Sequence, residues 1–268
     1  MDKNNIVREL IKYKRTPLFN EDFPLVLLWS QKAGCTTLSR WFFYQIGLLD
    51  KALQYHSSIH VYKNAVYYQQ KDYVDNLTKS ISNPKKDTIR LVRNPYKRAV
   101  SSYLTIASYC YSKKLLKTKL NEDWSRIYNL YYNNTPPYKG ISFKQFLYYL
   151  EKVGVNLDTV DGHIAKQHCS GEESFVTNYI KIENFTSEIR NIEKRYNLSK
   201  SPNTLLKSPN TFSPKMTLNG NHSELILTSK QLINGPLPNY ESFYDREAIQ
   251  LCNEIFKDDF SFYNYEKN

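Results

Sequence analysis

The sequence predicts an α/β fold with a mostly parallel sheet, and three stretches carry that expectation. In each, a short apolar run ends abruptly and a helix-forming pattern follows within a few residues. Leu25–Trp29 precedes Leu38–Leu49, Thr88–Val92 precedes a helix opened by Asn94 and Pro95, and Tyr179–Ile182 precedes Thr186–Tyr196. Short apolar runs read as buried strands, and strands alternating with helices join in parallel. In open sheets of this kind, ligands bind beyond the carboxyl ends of the strands. The turns after the first two strands are therefore where chemistry is expected. At 268 residues the chain can build one sizeable core. The expected layout is a charged, irregular amino-terminal arm, residues 1–22, and one domain, residues 23–268.

The first turn lies within LVLLWSQKAGCTTL, residues 25–38. Ala33 and Gly34 let the backbone turn closely, and Thr36 and Thr37 can cap the following helix and offer hydroxyls. Loop and first-turn N–H groups, running from Gln31 through Cys35 to Thr37, suit an anion. Lys32 adds a mobile cation, so the natural occupant is a phosphate. This is not a Walker A loop, because the lysine precedes the only glycine, which disfavours a nucleotide kinase or ATPase. The plain alternative is an ordinary strand–helix turn.

The second turn lies within TIRLVRNPYKRAVSSYL, residues 88–104. The strand is broken by Arg90 and closed by Arg93. Asn94 is a plausible helix cap, and Pro95 stands near the first helical position. An arginine presents a rigid fork of donors to a phosphate, and the hydroxyl of Ser101, eight residues on, adds a further point.

Taken in this order, about sixty residues apart, the two elements resemble those of the carbohydrate (glycan) sulfotransferases that use 3'-phosphoadenosine 5'-phosphosulfate (PAPS). Their 5'-phosphosulfate loop is similar to the stretch around Lys32. Their 3'-phosphate element is similar to Arg93, Asn94, Pro95 and Ser101, with Asn94 where an acidic residue is usual. The resemblance implies a single P-loop-like domain whose central sheet is flanked by helices. It also implies sulfuryl transfer from PAPS to a glycan or glycolipid hydroxyl by in-line displacement, releasing adenosine 3',5'-bisphosphate and needing no metal. The implied donor-binding residues are Gln31, Lys32, Ala33, Gly34, Cys35, Thr36, Thr37, Arg93 and Ser101.

Such a transfer benefits from a base near the acceptor hydroxyl, and neutral histidine suits that task. LQYHSSIHVYKN, residues 53–64, holds His56 and His60. The serines and Val61 argue against a helix there, and no nearby third ligand supports a metal site. Some glycan sulfotransferases have a base-bearing histidine in a similar place, which implies His60 as the base beside Lys32. A third, looser resemblance is DGHIAKQHC, residues 161–169, where Asp161, His163, Gln167 and Cys169 follow the family pattern and Ile164 replaces its aromatic. It implies that His163 meets the acceptor or orders its loop, and that Lys166 meets an acidic group. Glu183, at the end of the third strand, is the fallback base.

The net charge of +11 favours polyanions, whether acidic glycan, phosphorylated cofactor, nucleic acid or membrane surface. The implied partner is a glycan or glycolipid, acidic ones included. Nucleic acid is not expected, peripheral membrane contact stays open, and oligomeric state is unread. A P-loop kinase and a basic nucleic-acid-binding protein remain as rival readings. Four widely spaced cysteines indicate no zinc or redox site. No apolar run spans a membrane, and no signal-like segment precedes Pro24. The expectation is a cytoplasmic protein or the soluble part of a membrane-anchored luminal enzyme.

Elsewhere the chain offers a basic stretch, Lys113–Lys119, a Pro-Pro turn, Thr135–Gly140, and a capping-box helix, Phe143–Val153. Leu198–Tyr240 reads as a long loop or lid in which Lys207 and Lys215 could close over the nucleotide. Tyr244–Asp259 reads as one helix, with Phe260, Phe262 and Tyr265 as core anchors.

Overall fold

The computed structural model describes residues 3–110, 118–133, 139–207 and 212–268, excepting the side chains of residues 109 and 110. Most of the basic stretch and of the Pro-Pro turn lies outside the described residues. In chain order the elements are α1 (Lys3–Lys12), β1 (Leu25–Leu28), α2 (Cys35–Gln45), α3 (Leu49–Tyr55), α4 (Ile59–Ala65), α5 (Tyr73–Ser82), β2 (Asp87–Val92), α6 (Pro95–Cys110), α7 (Lys119–Tyr132) and α8 (Phe143–Val153). They continue with β3 (Asn178–Lys181), α9 (Phe185–Arg195), α10 (Asn203–Leu206), β4 (Met216–Leu218), α11 (Ser229–Asn234), β5 (Leu237–Pro238), α12 (Arg246–Ile255) and α13 (Lys257–Phe262). The chain divides into two compact units, Met1–Arg93 with His168–Pro209, and Asn94–Gln167 with Asn210–Asn268.

The first unit is built on the expected parallel sheet, in the order β1-β2-β3. Leu25 lies opposite Asp87, and Ile89 opposite Asn178. Every residue of β1 is buried, which is why that strand reads as a continuous apolar run. The strand β2 forms as expected and carries the charge of Arg90 in its apolar run. The guanidinium is buried, with Nε 3.2 Å from Oε1 of Glu172, itself buried. Removing one partner of such a pair costs about 3–5 kcal/mol, because the other charge stays buried alone. Glu172 is far along the chain, so no local pattern could supply it.

The amino-terminal residues contribute to this core. Ile6, Val7 and Leu10 of α1 are buried. Leu18 pairs antiparallel with Leu27. An aromatic cluster closes the space behind β1 and α2: Phe42 meets Phe23 and Tyr67 edge-on, and Phe43 meets Tyr62 and Tyr67. The segment carrying His60 is helical, against expectation. Burial of Ile59 and Tyr62 outweighs the weak local propensity of α4, while Val61 stays exposed.

The second unit gathers α6, α7, α8, α12 and the short elements after residue 212 around Tyr103, Phe143, Phe146 and Phe243. Two local readings hold. Asn94 Oδ1 accepts from the Lys97 N–H at 3.2 Å, as a helix cap should. Ser142 and Gln145 close a reciprocal capping box at the start of α8.

Three readings are corrected. The expected single helix 244–259 is two, α12 and α13, divided at Phe256, whose φ and ψ are non-helical. Phe262 is 45% exposed, so it is no core anchor, whereas Phe260 is buried. Lys215 Nζ donates to the carbonyls of Leu232 and Ile233 near the end of α11, where a cation satisfies carbonyls left without helical partners. Among the described residues, no helix is long and apolar enough to cross a membrane.

Candidate functional site

The turn after β1 has the conformation its residues suggested. Lys32 (φ 65°) and Gly34 (φ 88°) are both left-handed, and Gly34 stands at the cap of α2. The Leu38 N–H reaches the Gly34 carbonyl at 3.1 Å, so the helix begins immediately. The N–H groups of its first turn have no partners within the helix. Neither threonine caps it, however. Gly34 makes no side-chain cap, the Thr36 hydroxyl meets His60, and the buried Thr37 Oγ1 has no hydrogen-bond partner among the described residues. The Ser30 hydroxyl, just before the loop, is buried in the same state.

Gly34 is needed on two counts. An L-residue at that φ is strained, and a Cβ there would stand 2.5 Å from Ile182 Cδ1 and 3.3 Å from Leu91 Cδ2. Ile182 can swing its terminal methyl aside, but the backbone strain stays. Gly34→Ala should therefore cost about 1–3 kcal/mol, read as a lowered melting temperature. A melting temperature equal to that of the parent would show that the loop adopts another conformation.

Several side chains hold the loop from behind. Arg93, closing β2, donates from Nη1 to the Lys32 carbonyl at 3.0 Å. Arg15 is fully buried; its Nε donates to Gln31 Oε1 at 3.1 Å, and its Nη1 approaches Cys169 Sγ at 3.7 Å. Trp29 Nε1 and the Tyr68 hydroxyl both donate to the Thr16 carbonyl, at 2.8 and 2.7 Å. Lys63 lies 3.7 Å over the Trp29 ring. Arg15 and Lys63 were missed in the sequence. Each is one cation among many in a lysine-rich chain, and only the fold reveals that it is buried.

His60 sits on α4, with Nε2 2.9 Å from Thr36 Oγ1 and 3.9 Å from Cys35 Sγ. The first unit thus brings together Gln31, Lys32, Cys35, Thr36, Arg93 and His60. Ala33 is buried beneath the same turn. His56 is exposed and accepts the Ser58 N–H on Nδ1, away from this cluster of contacts. Glu183 is exposed in a 3-10 turn after β3.

Ser101 and His163 belong to the second unit. Ser101 is buried on α6, where its carbonyl accepts from Thr105 Oγ1. His163 lies in a well-anchored loop. Its Nδ1 is 2.6 Å from Asp161 Oδ1, and its carbonyl accepts from Ser102 Oγ at 2.6 Å. The Gly162 carbonyl accepts from Arg98 at 3.3 Å. The Asp161 N–H donates to Asp123 Oδ2 at 2.7 Å. Burial raises the Asp123 carboxyl above its usual range, though the Tyr149 hydroxyl and the Asp161 N–H hold it down in part. Lys166, expected to meet an acidic acceptor group, instead pairs with Asp258 at 2.5 Å. The Gln167 N–H donates to both carboxylate oxygens of Asp259, at 2.9 Å each, which makes Gln167 a structural anchor. No group of three or more His, Cys, Asp or Glu among the described residues could hold a metal ion.

A model of the sulfotransferase family matches residues 16–266. The match covers the Lys32 loop, Arg93 and both histidine segments. No curated protein and no solved structure matches the chain.

Proposed function

Because the chain belongs to the sulfotransferase family, we propose that it moves a sulfuryl group from PAPS to a hydroxyl of a glycan or glycolipid. The observation that carries this reading is the bond from Arg93 to the Lys32 carbonyl, 3.0 Å long. It ties together the two elements expected to grip opposite ends of one donor. The loop also fits an anion. Its left-handed residues lead directly into the first turn of α2, and the orphaned Thr37 hydroxyl is a buried donor that an acceptor oxygen would satisfy.

PAPS, when bound, supplies a sulfuryl group carried on a phosphate leaving group. The chain's own residues do the rest. Lys32 and the first-turn N–H groups stabilise negative charge on the leaving phosphate. Arg93 presents its guanidinium fork to the 3'-phosphate. His60 takes the acceptor's proton as the new S–O bond forms. Positioning and electrostatics carry the reaction, as in phosphoryl transfer. The basic balance of the chain favours an acidic glycan as acceptor.

A second reading of the base rests on the 2.6 Å contact between His163 and Asp161. A carboxylate on Nδ1 fixes the tautomer and orients the ring, leaving Nε2 as the acceptor.

The donor assignment is tested by calorimetric titration with adenosine 3',5'-bisphosphate. Arg93→Ala should weaken binding about 10- to 100-fold, the scale of one charge-assisted bond. Unchanged affinity would remove Arg93 from the donor site. Transfer of radiolabelled sulfate from PAPS across a panel of neutral and acidic glycans then identifies the acceptor.

A further inference from the structure

Lys63 is the least expected residue near the donor loop. It lies on α4, three residues after His60, with its side chain 1% exposed. Its Nζ has no hydrogen-bond partner among the described residues. It rests 3.7 Å from the centroid of the Trp29 ring and 5.7 Å from that of Tyr68. Trp29 is the last residue of the apolar run before the loop. A lysine buried without an acceptor is costly, and ring faces repay only part of the lost hydration.

The groups around it are few. The Cys35 thiol, first residue of α2, acts on it electrostatically and favours its charged form. His60 shares its helix and touches Thr36. Arg15 and Arg93 hold the loop itself, through Gln31 and the Lys32 carbonyl. No carboxylate pairs with Lys63 among the described residues. Burial pushes the amine down to about 8, against the weaker opposing effect of Cys35. Lys63 therefore lies against Trp29, next to the loop, and within electrostatic reach of Cys35, where an arriving anion would favour its charged form.

We infer that Lys63 is a second cation of the donor site, which takes up a proton when an anion enters the loop of residues 30–37 and so couples donor binding to pH. This rests on the reading that the loop holds an anionic donor. A dianionic phosphate close to the amine favours its charged form and opposes the desolvation that disfavours it. The sign follows. Near pH 8 the empty chain carries Lys63 about half protonated. The occupied chain carries it fully protonated, so affinity falls as pH rises through that range.

The test is calorimetric titration of the full chain with adenosine 3',5'-bisphosphate at pH 8, in two buffers of different ionisation enthalpy. Binding should take up to about half a proton, and affinity should drop by up to tenfold per pH unit above 8. Lys63→Met should abolish the uptake and weaken binding at pH 7 by about tenfold or more. It should also raise the melting temperature of the ligand-free chain, because it removes a buried charge that costs stability below pH 8. A merely structural lysine would lower that temperature instead. Cys35→Ser should retain the uptake, which separates the amine from the neighbouring thiol. Binding without proton uptake overturns the inference, as does uptake that persists in Lys63→Met or disappears in Cys35→Ser. If Lys63→Met does not fold, the parent and Cys35→Ser measurements decide. Absence of bisphosphate binding at every pH would instead remove the donor reading itself, and this inference with it.

Discussion

Lys32→Ala is expected to lower turnover by about 10²- to 10³-fold while leaving the fold almost untouched. The size follows from the role. A preorganised donor aimed at charge that develops in the transition state contributes on that scale when removed. The small effect on the fold follows from the backbone. Lys32 already holds φ 65°, a conformation that strains lysine and alanine alike, so the exchange adds little new strain. Its carbonyl, which accepts from Arg93, survives the substitution. Lys32→Gly sharpens the comparison. It should relieve the strained φ, raising the melting temperature slightly, and still lose the same turnover. Steady-state rates with PAPS and thermal melts on both variants give the answer. Turnover within tenfold of the parent would mean that the cation at position 32 does not act on the reacting centre.

The sequence was legible where structure is set locally. The apolar run of β1, the Asn94 cap and the Ser142–Gln145 box all depend on residues a few positions apart, and each forms as expected. The turn at Gly34 was legible because few residues tolerate its geometry. Contacts between distant residues were not. Arg90 stood out as a charge interrupting an apolar strand because its counter-charge, Glu172, lies far along the chain. Arg15 looked like part of a peripheral arm until the fold set it against Gln31 and Cys169. The short helix carrying His60 is held by tertiary burial of Ile59 and Tyr62, which no local pattern announces. The same helix buries Lys63, a residue type that composition places on the surface.

The choice of base gives the second large effect. Removal of His60 would change turnover alone only if the ring stood clear of the donor loop. Its Nε2 lies 2.9 Å from Thr36 Oγ1, which links it to the donor loop. His60→Ala would therefore disturb both proton transfer and the first turn of α2. His60→Gln separates the two, because a glutamine amide can still bond the Thr36 hydroxyl but cannot act as a base near neutral pH. His60→Gln should lower turnover by about 10²-fold or more, the scale of a lost general base. Bisphosphate affinity should stay within a few-fold of the parent. His163→Ala should instead raise the acceptor concentration needed for half-saturation and leave bisphosphate affinity unchanged. The opposite pattern has a ready physical cause. If His60→Gln turns over normally and His163→Ala is inactive with donor binding intact, the ring oriented by Asp161 takes the proton. The acidic limb of the parent's pH–rate profile should then persist in His60→Gln.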